Sequence, residues 1–106
     1  MQINQNQRLN VLRDRLAGSP YDALLIASTQ NCRYLSGMAN DDPHVAYLLV
    51  SDDNIFLVTD YRYSLQAKTQ CHPGIEVIER DRARVSLGQQ FNILLKQMNV
   101  QQIYNF

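Results

Sequence analysis

Residues 45–59 read VAYLLVSDDNIFLVT, and this stretch decides the fold. Two apolar runs, VAYLLV over 45–50 and IFLVT over 55–59, flank the polar residues Ser51, Asp52, Asp53 and Asn54. Valine, isoleucine and the aromatics suit a pleated, buried surface, while Asp and Asn suit tight turns. The stretch therefore predicts a β-hairpin whose strands are antiparallel neighbours. Upstream, DALLIA over 22–27 carries three consecutive apolar residues, Leu24, Leu25 and Ile26. A strand without polar alternation is covered on both faces, so this one belongs inside a sheet. Downstream, Ile75 to Ile78 alternates apolar residues with Glu76, and a last strand is expected over 102–105.

Helical periods fill the gaps. Leu9, Leu12 and Leu16 recur at i, i+3 and i+7 and predict a helix over 5–17. Gly18 is expected in the left-handed position that ends it, with Ser19-Pro20 as the stop. Residues 2–7, QINQNQ, read as a frayed end or a polar first turn. Ser28-Thr29 begins a short helix reaching about Leu35, ended by Gly37. Asp60 is expected to cap a helix over 61–70, in which Tyr63 and Ala67 share a face, before His72-Pro73-Gly74 breaks it. From near Arg84, the residues Leu87, Phe91, Leu94, Leu95 and Met98 form the cleanest amphipathic stripe, with Asn99 as its left-handed cap. Strands alternating with helices around one hairpin imply a three-layer α/β/α domain with a mixed five-stranded sheet.

The chain has 106 residues, with 10 Lys+Arg against 10 Asp+Glu and 45% hydrophobic residues. That length predicts one domain with a core large enough to need no staples. Zero net charge argues against a nucleic-acid binder and against a polybasic membrane-surface module. No apolar run approaches a membrane span, and the polar N-terminal decapeptide MQINQNQRLN has no signal-peptide centre. Two cysteines, Cys32 and Cys71, are too few for a disulfide framework. These features together predict a cytoplasmic protein with free thiols.

Chemistry is sparse. The four glycines are scattered and form no phosphate loop, and no GxSxG elbow occurs. Only His44 and His72 are available as imidazole ligands, and Glu76 and Glu79 point to opposite faces of a strand. The richest polar cluster is Asn40-Asp41-Asp42-Pro43-His44. Two carboxylates beside an imidazole can reach a ligand, bind a cation weakly or act as a pH-sensitive latch. The plainer alternative is a solvated loop whose Asp side chains cap a turn before Pro43. Cys32 and Cys71 read as plain thiols. Tyr61, Arg62 and Tyr63 sit where a strand meets a helix, either at a ligand-binding rim or simply with Tyr63 packed inward and Arg62 paired with Asp60.

Two stretches carry a resemblance. NCRYLSGM over 31–38 is close to N-x-x-Y-L-(S/T)-G-F, and LVTDYRYSLQA over 57–67 is close to (L/V)-x-T-D-x-R-Y-x-x-Q-A. In this order and spacing, after the opening RLNVLRDRLAGSPYDALLIAS, the chain resembles the N-terminal domain of the creatinase/prolidase family, which includes Xaa-Pro dipeptidase and aminopeptidase P. The resemblance implies a ribonuclease-H-like motif and places catalysis elsewhere. In relatives a C-terminal pita-bread domain holds two divalent metal ions (Mn, Co or Zn) through two Asp, one His and two Glu. Residues 1–106 would then be part of a longer protein, with no catalytic residue and no cofactor of their own. The resemblance further implies a homodimer and a domain that gates the active site for short proline-containing peptides. By position, Asn40, Asp41, Asp42 and His44 match the gating loop, while Met38 stands where the family carries an aromatic residue. Two alternatives share the domain: a peptide- or protein-binding pseudo-enzyme that lost the metal site, and a creatinase-type amidinohydrolase.

Overall fold

In residues 5–106, the part of the chain described by the computed structural model, leucine spacing sets the first helix. Helix α1 (Gln5–Ala17) buries Leu9 and Leu16 and half-buries Leu12, the stripe its period predicts. The beginning of QINQNQ, residues 2–4, lies outside the described residues. Gly18 does not take the left-handed conformation expected of it. The Ser19 amide and hydroxyl both donate to the Leu16 carbonyl, at 3.0 and 2.8 Å, and so satisfy the helix end without it. Strand β1 (Ala23–Ile26) follows, with Ala23, Leu24 and Ile26 buried.

Helix α2 (Thr29–Ser36) is capped by Ser28, whose hydroxyl accepts from the Asn31 amide. Gly37 ends it at φ 86°, donating its amide to the Arg33 carbonyl. Strands β2 (Tyr47–Ser51) and β3 (Ile55–Asp60) form the hairpin, closed by the Ser51 amide donating to the Asn54 carbonyl at 2.8 Å. Every residue of β3 is buried.

Helix α3 (Ser64–Gln70) starts three residues later than the sequence predicts, and Asp60 does not cap it. The Asp60 carboxylate is taken by Arg62, so residues 61–63 form a turn, and the helix has no side-chain cap at Tyr63. Strand β4 (Glu76–Arg80) extends past the expected Ile78 because Asp60 pairs with Arg80 along β3. Helix α4 (Leu87–Met98) begins after Ser86 rather than near Arg84, because Ser86 and Gln89 form a reciprocal capping box. Asn99 takes the left-handed cap at φ 56°, as expected. Strand β5 (Ile103–Asn105) closes the series.

The strands lie in the order β4-β3-β2-β1-β5. β2 is antiparallel to β1 and β3, while β4 runs parallel to β3 and β5 parallel to β1. The sheet is mixed and five-stranded, as its sequence predicts. One face packs Leu24, Ile26, Leu48 and Leu57 against residues of α1, α2 and α3. The other packs Leu49, Phe56 and Val58 against Leu94 of α4, where Phe91 meets Tyr47 edge-on at 5.6 Å. Helices thus cover both faces, giving three layers.

The two helix-terminal glycines should respond in opposite ways. An L-residue forced into the left-handed region costs about 1–2 kcal/mol, so Gly37→Val should lower the urea midpoint accordingly. At Gly18 an added Cβ would lie 3.8 Å from the Arg15 carbonyl, an ordinary contact. Gly18→Ala should raise stability by about 0.4–1 kcal/mol through the unfolded chain. Chemical denaturation of both variants checks the pair. A neutral Gly37→Val would contradict the assignment.

Candidate functional site

Residues 39–44 form an exposed loop between two buried anchors. Met38, standing where the family carries an aromatic residue, is buried in the core, and Val45 and Ala46 are buried just before β2. The strand register sets the loop's place. Leu48 opposes Ile26 at the end of β1, and Tyr47 opposes Val58 near the end of β3. The loop therefore rises beside the carboxyl ends of β1 and β3, the rim where α/β sheets commonly receive ligands.

The predicted cluster is distributed rather than convergent. The Asn40 side chain folds onto Asp42, accepting from its amide at 3.1 Å and donating to its carbonyl at 2.9 Å. This Asx-type turn precedes Pro43, with Asn40 rather than an aspartate as the cap. Asp41 pairs with Arg33 of α2 rather than with His44. Both side chains are largely exposed, and such pairs contribute little to stability. The Asp42 carboxylate has no hydrogen-bond partner among the described residues and faces solvent. His44 sits at φ 62°, unusual for a residue other than glycine, with its Nδ1 3.2 Å from the Tyr47 hydroxyl.

Three residues from outside the loop, Gln70, Gln66 and Thr59, hold its ends. The Ala39 amide donates to Gln70 Oε1 at 2.8 Å, and Gln66 Nε2 donates to the Ala39 carbonyl at 2.8 Å. The Thr59 hydroxyl donates to the Val45 carbonyl at 2.7 Å. Thr59 and Gln66 lie inside the motif stretch 57–67, which was the one available signal for them.

Beside the loop, Asp60 is buried and receives both ends of the Arg62 guanidinium, at 2.8 and 2.9 Å, as well as the Arg62 amide at 3.0 Å. These hydrogen bonds from Arg62 hold its carboxyl below the usual aspartate range, against the opposing effect of burial. The Arg62 guanidinium also lies 5.2 Å from the Tyr63 ring, which packs partly into the core, while Tyr61 is exposed.

The thiols carry no sign of activation. Cys32 Sγ donates to the Ile26 carbonyl at 3.2 Å, and burial pushes the thiol up to about 11. Burial also raises Cys71, and its sequence neighbour His72 directs Nδ1 to the Gly74 amide at 3.0 Å. Glu79 accepts from the Ser64 hydroxyl, while Glu76 is exposed. Among the described residues no group of three or more His, Cys, Asp or Glu side chains is placed to hold a metal ion. No helix among them is long and apolar enough to cross a membrane.

Comparison with known proteins decides the family. The model of the Creatinase/Prolidase N-terminal domain matches residues 8–103. The chain belongs to this family. The creatinase/prolidase N-terminal domain described here is 35% identical over 72 residues to the uncharacterized peptidase YqhT of Bacillus subtilis (strain 168), a match covering 68% of the chain and 19% of that protein. Among solved structures, it is similar to the N-terminal domain of cytoplasmic peptidase PepQ from Mycobacterium tuberculosis H37Rv. There the identity is 30% and the TM-score 0.75, over 92% of this chain and 71% of that one. It also superposes on an Xaa-Pro dipeptidase from Bacillus anthracis with TM-score 0.83 at 20% identity, covering 96% of this chain and 27% of that chain. The chain thus spans about a fifth of the curated relative and about a quarter of the dipeptidase.

The Asp60–Arg62 pair makes a definite pH signature. A carboxyl held below its ordinary value stabilises the fold above about pH 4, and that stability is lost as pH falls through the depressed value. Asp60→Asn should therefore be less stable than the parent near neutral pH, with the gap shrinking as the solution is acidified below about pH 4. Urea midpoints measured across that range test this. A gap that stays constant to about pH 2 would show that the charge is not involved.

Proposed function

We propose that this chain is the non-catalytic N-terminal domain of a proline-specific metallopeptidase, an Xaa-Pro dipeptidase or aminopeptidase. In this reading the full-length protein is a cytoplasmic homodimer in which a C-terminal catalytic domain cleaves the bond before proline. The resemblance implies two divalent metal ions in that domain. In this reading the metal ligands and the catalytic step belong to that C-terminal domain. The part of this chain is shape and access.

The observation that carries the reading is the loop at the carboxyl rim of the sheet, in a chain whose residues 8–103 match the family. Its backbone is tied at Ala39 and Val45, while the Asp42 carboxylate and the His44 imidazole remain exposed. Asn40 shapes the turn, and Asp41 ties it to Arg33. A carboxylate so placed attracts the ammonium terminus of a short peptide, and an imidazole can donate to its carboxylate. A loop that borders the mouth of a catalytic site also excludes longer chains by bulk.

The test compares the full-length protein with the 106-residue chain on Xaa-Pro dipeptides. The full-length protein should hydrolyse them and lose activity to a chelator, whereas residues 1–106 alone should be inactive. Asp42→Asn in the full-length protein should raise KM by roughly 3- to 10-fold, the worth of one exposed charged contact, with kcat little changed. Turnover by the isolated chain would overturn the proposal. A full-length protein that binds peptides without cleaving them would indicate a pseudo-enzyme instead, and hydrolysis of creatine would indicate an amidinohydrolase.

A further inference from the structure

Ala39 opens the loop of residues 39–44 just after α2, and both of its backbone polar groups are held by side chains of α3. Gln66 and Gln70 are one helical turn apart and therefore share a face. The Ala39 amide donates to Gln70 Oε1, and Gln66 Nε2 donates to the Ala39 carbonyl and, at 3.1 Å, to Gln70 Oε1. A backbone amide can only donate and a carbonyl can only accept. The polarity of both carboxamides is thereby dictated: Gln70 must present oxygen and Gln66 must present NH2. Neither side chain is spent on the core, since Gln66 is half-buried and Gln70 exposed. A further side-chain tie between the start of the loop and a helix, Arg33 to Asp41, is exposed and contributes little. The end of α3 is further linked to α2 by the His72 amide donating to the Ser36 carbonyl at 3.2 Å.

We propose that Gln66 and Gln70 are positioning residues for residues 39–44, a two-pronged clamp by which α3 sets the conformation of the loop. The clamp explains why a glutamine belongs in the stretch 57–67. It joins that stretch to the loop that follows the other motif. Its effect on peptide binding rests on the gating function proposed above, but its effect on loop order does not.

The polarity of the clamp gives a test that bulk or general damage would not mimic. Glutamate is nearly isosteric with glutamine but only accepts when ionised. Gln70→Glu keeps the acceptor that Ala39 needs. Gln66→Glu replaces the donor and sets a carboxylate against the Ala39 carbonyl and Gln70 Oε1. In the full-length protein, Gln66→Glu should speed hydrogen exchange at the Ala39 and Asp42 amides, the two in the loop that hydrogen-bond among the described residues, by roughly 3- to 10-fold, the worth of one hydrogen bond. Gln70→Glu should leave exchange within about twofold of the parent on the same scale. Gln66→Met, which removes the donor without adding charge, should behave as Gln66→Glu does. If Gln66→Glu fails to fold, the Met variant carries the comparison. On an Xaa-Pro dipeptide the same order should appear in KM, with kcat unchanged. Equal exchange in the 66 and 70 variants, or no change in any of them, overturns the clamp. Asymmetric exchange without peptide turnover by the parent upholds the clamp and removes the peptidase reading.

Discussion

The cross-strand contact of Leu48 with Leu57, both fully buried, is what the remaining architecture is built around. These strands are apolar on both faces. Leu48 and Leu57 face the layer of α1, α2 and α3, while Leu49 and Phe56 face α4. A two-stranded hairpin cannot hide such surface alone, so it demands partners at its edges and cover above and below. β1 and β4 satisfy the first need, and the helices satisfy the second. The loops are placed as a result. Once the register aligns Tyr47 with Val58, residues 39–44 have one end of the sheet at which to emerge.

At that rim, rigid and adaptable parts are separated. Asp60 and Arg62 lock the turn after β3 with charge-assisted bonds, which are among the stronger polar contacts available. The adjoining loop is held at Ala39 by Gln66 and Gln70, at Val45 by the buried Thr59 and at Asp41 by an exposed ion pair, while Asp42 and His44 are exposed. The strong polar contacts thus lie in the turn after β3, and the weaker, exposed ones lie in the loop.

Much of this was legible in the amino-acid order, for identifiable reasons. The hairpin, the buried first strand and the stripe of α4 rest on local periodicity, and a period survives whatever packs against it. Boundaries were harder wherever a side chain had a choice of partner. Asp60 was a plausible helix cap until Arg62, two residues on, took its carboxylate. Gly18 was a plausible left-handed terminus until Ser19 bonded the Leu16 carbonyl. The loop itself stood out by composition, as Asn40, Asp41, Asp42 and His44. Its anchors did not, because Gln66 and Gln70 act across 27 and 31 positions in the chain, and no local pattern encodes such a pairing.

The seat of Cys32 has a bearing on durability. Burial pushes the Cys32 thiol up to about 11, so at neutral pH it stays almost wholly in the unreactive, protonated form. The sulfur is buried and donates weakly to the Ile26 and Ala46 carbonyls, out of reach of oxidants in solution. Oxidation at this position therefore waits on an opening that uncovers α2, and the residue ages with such openings rather than with exposure to peroxide.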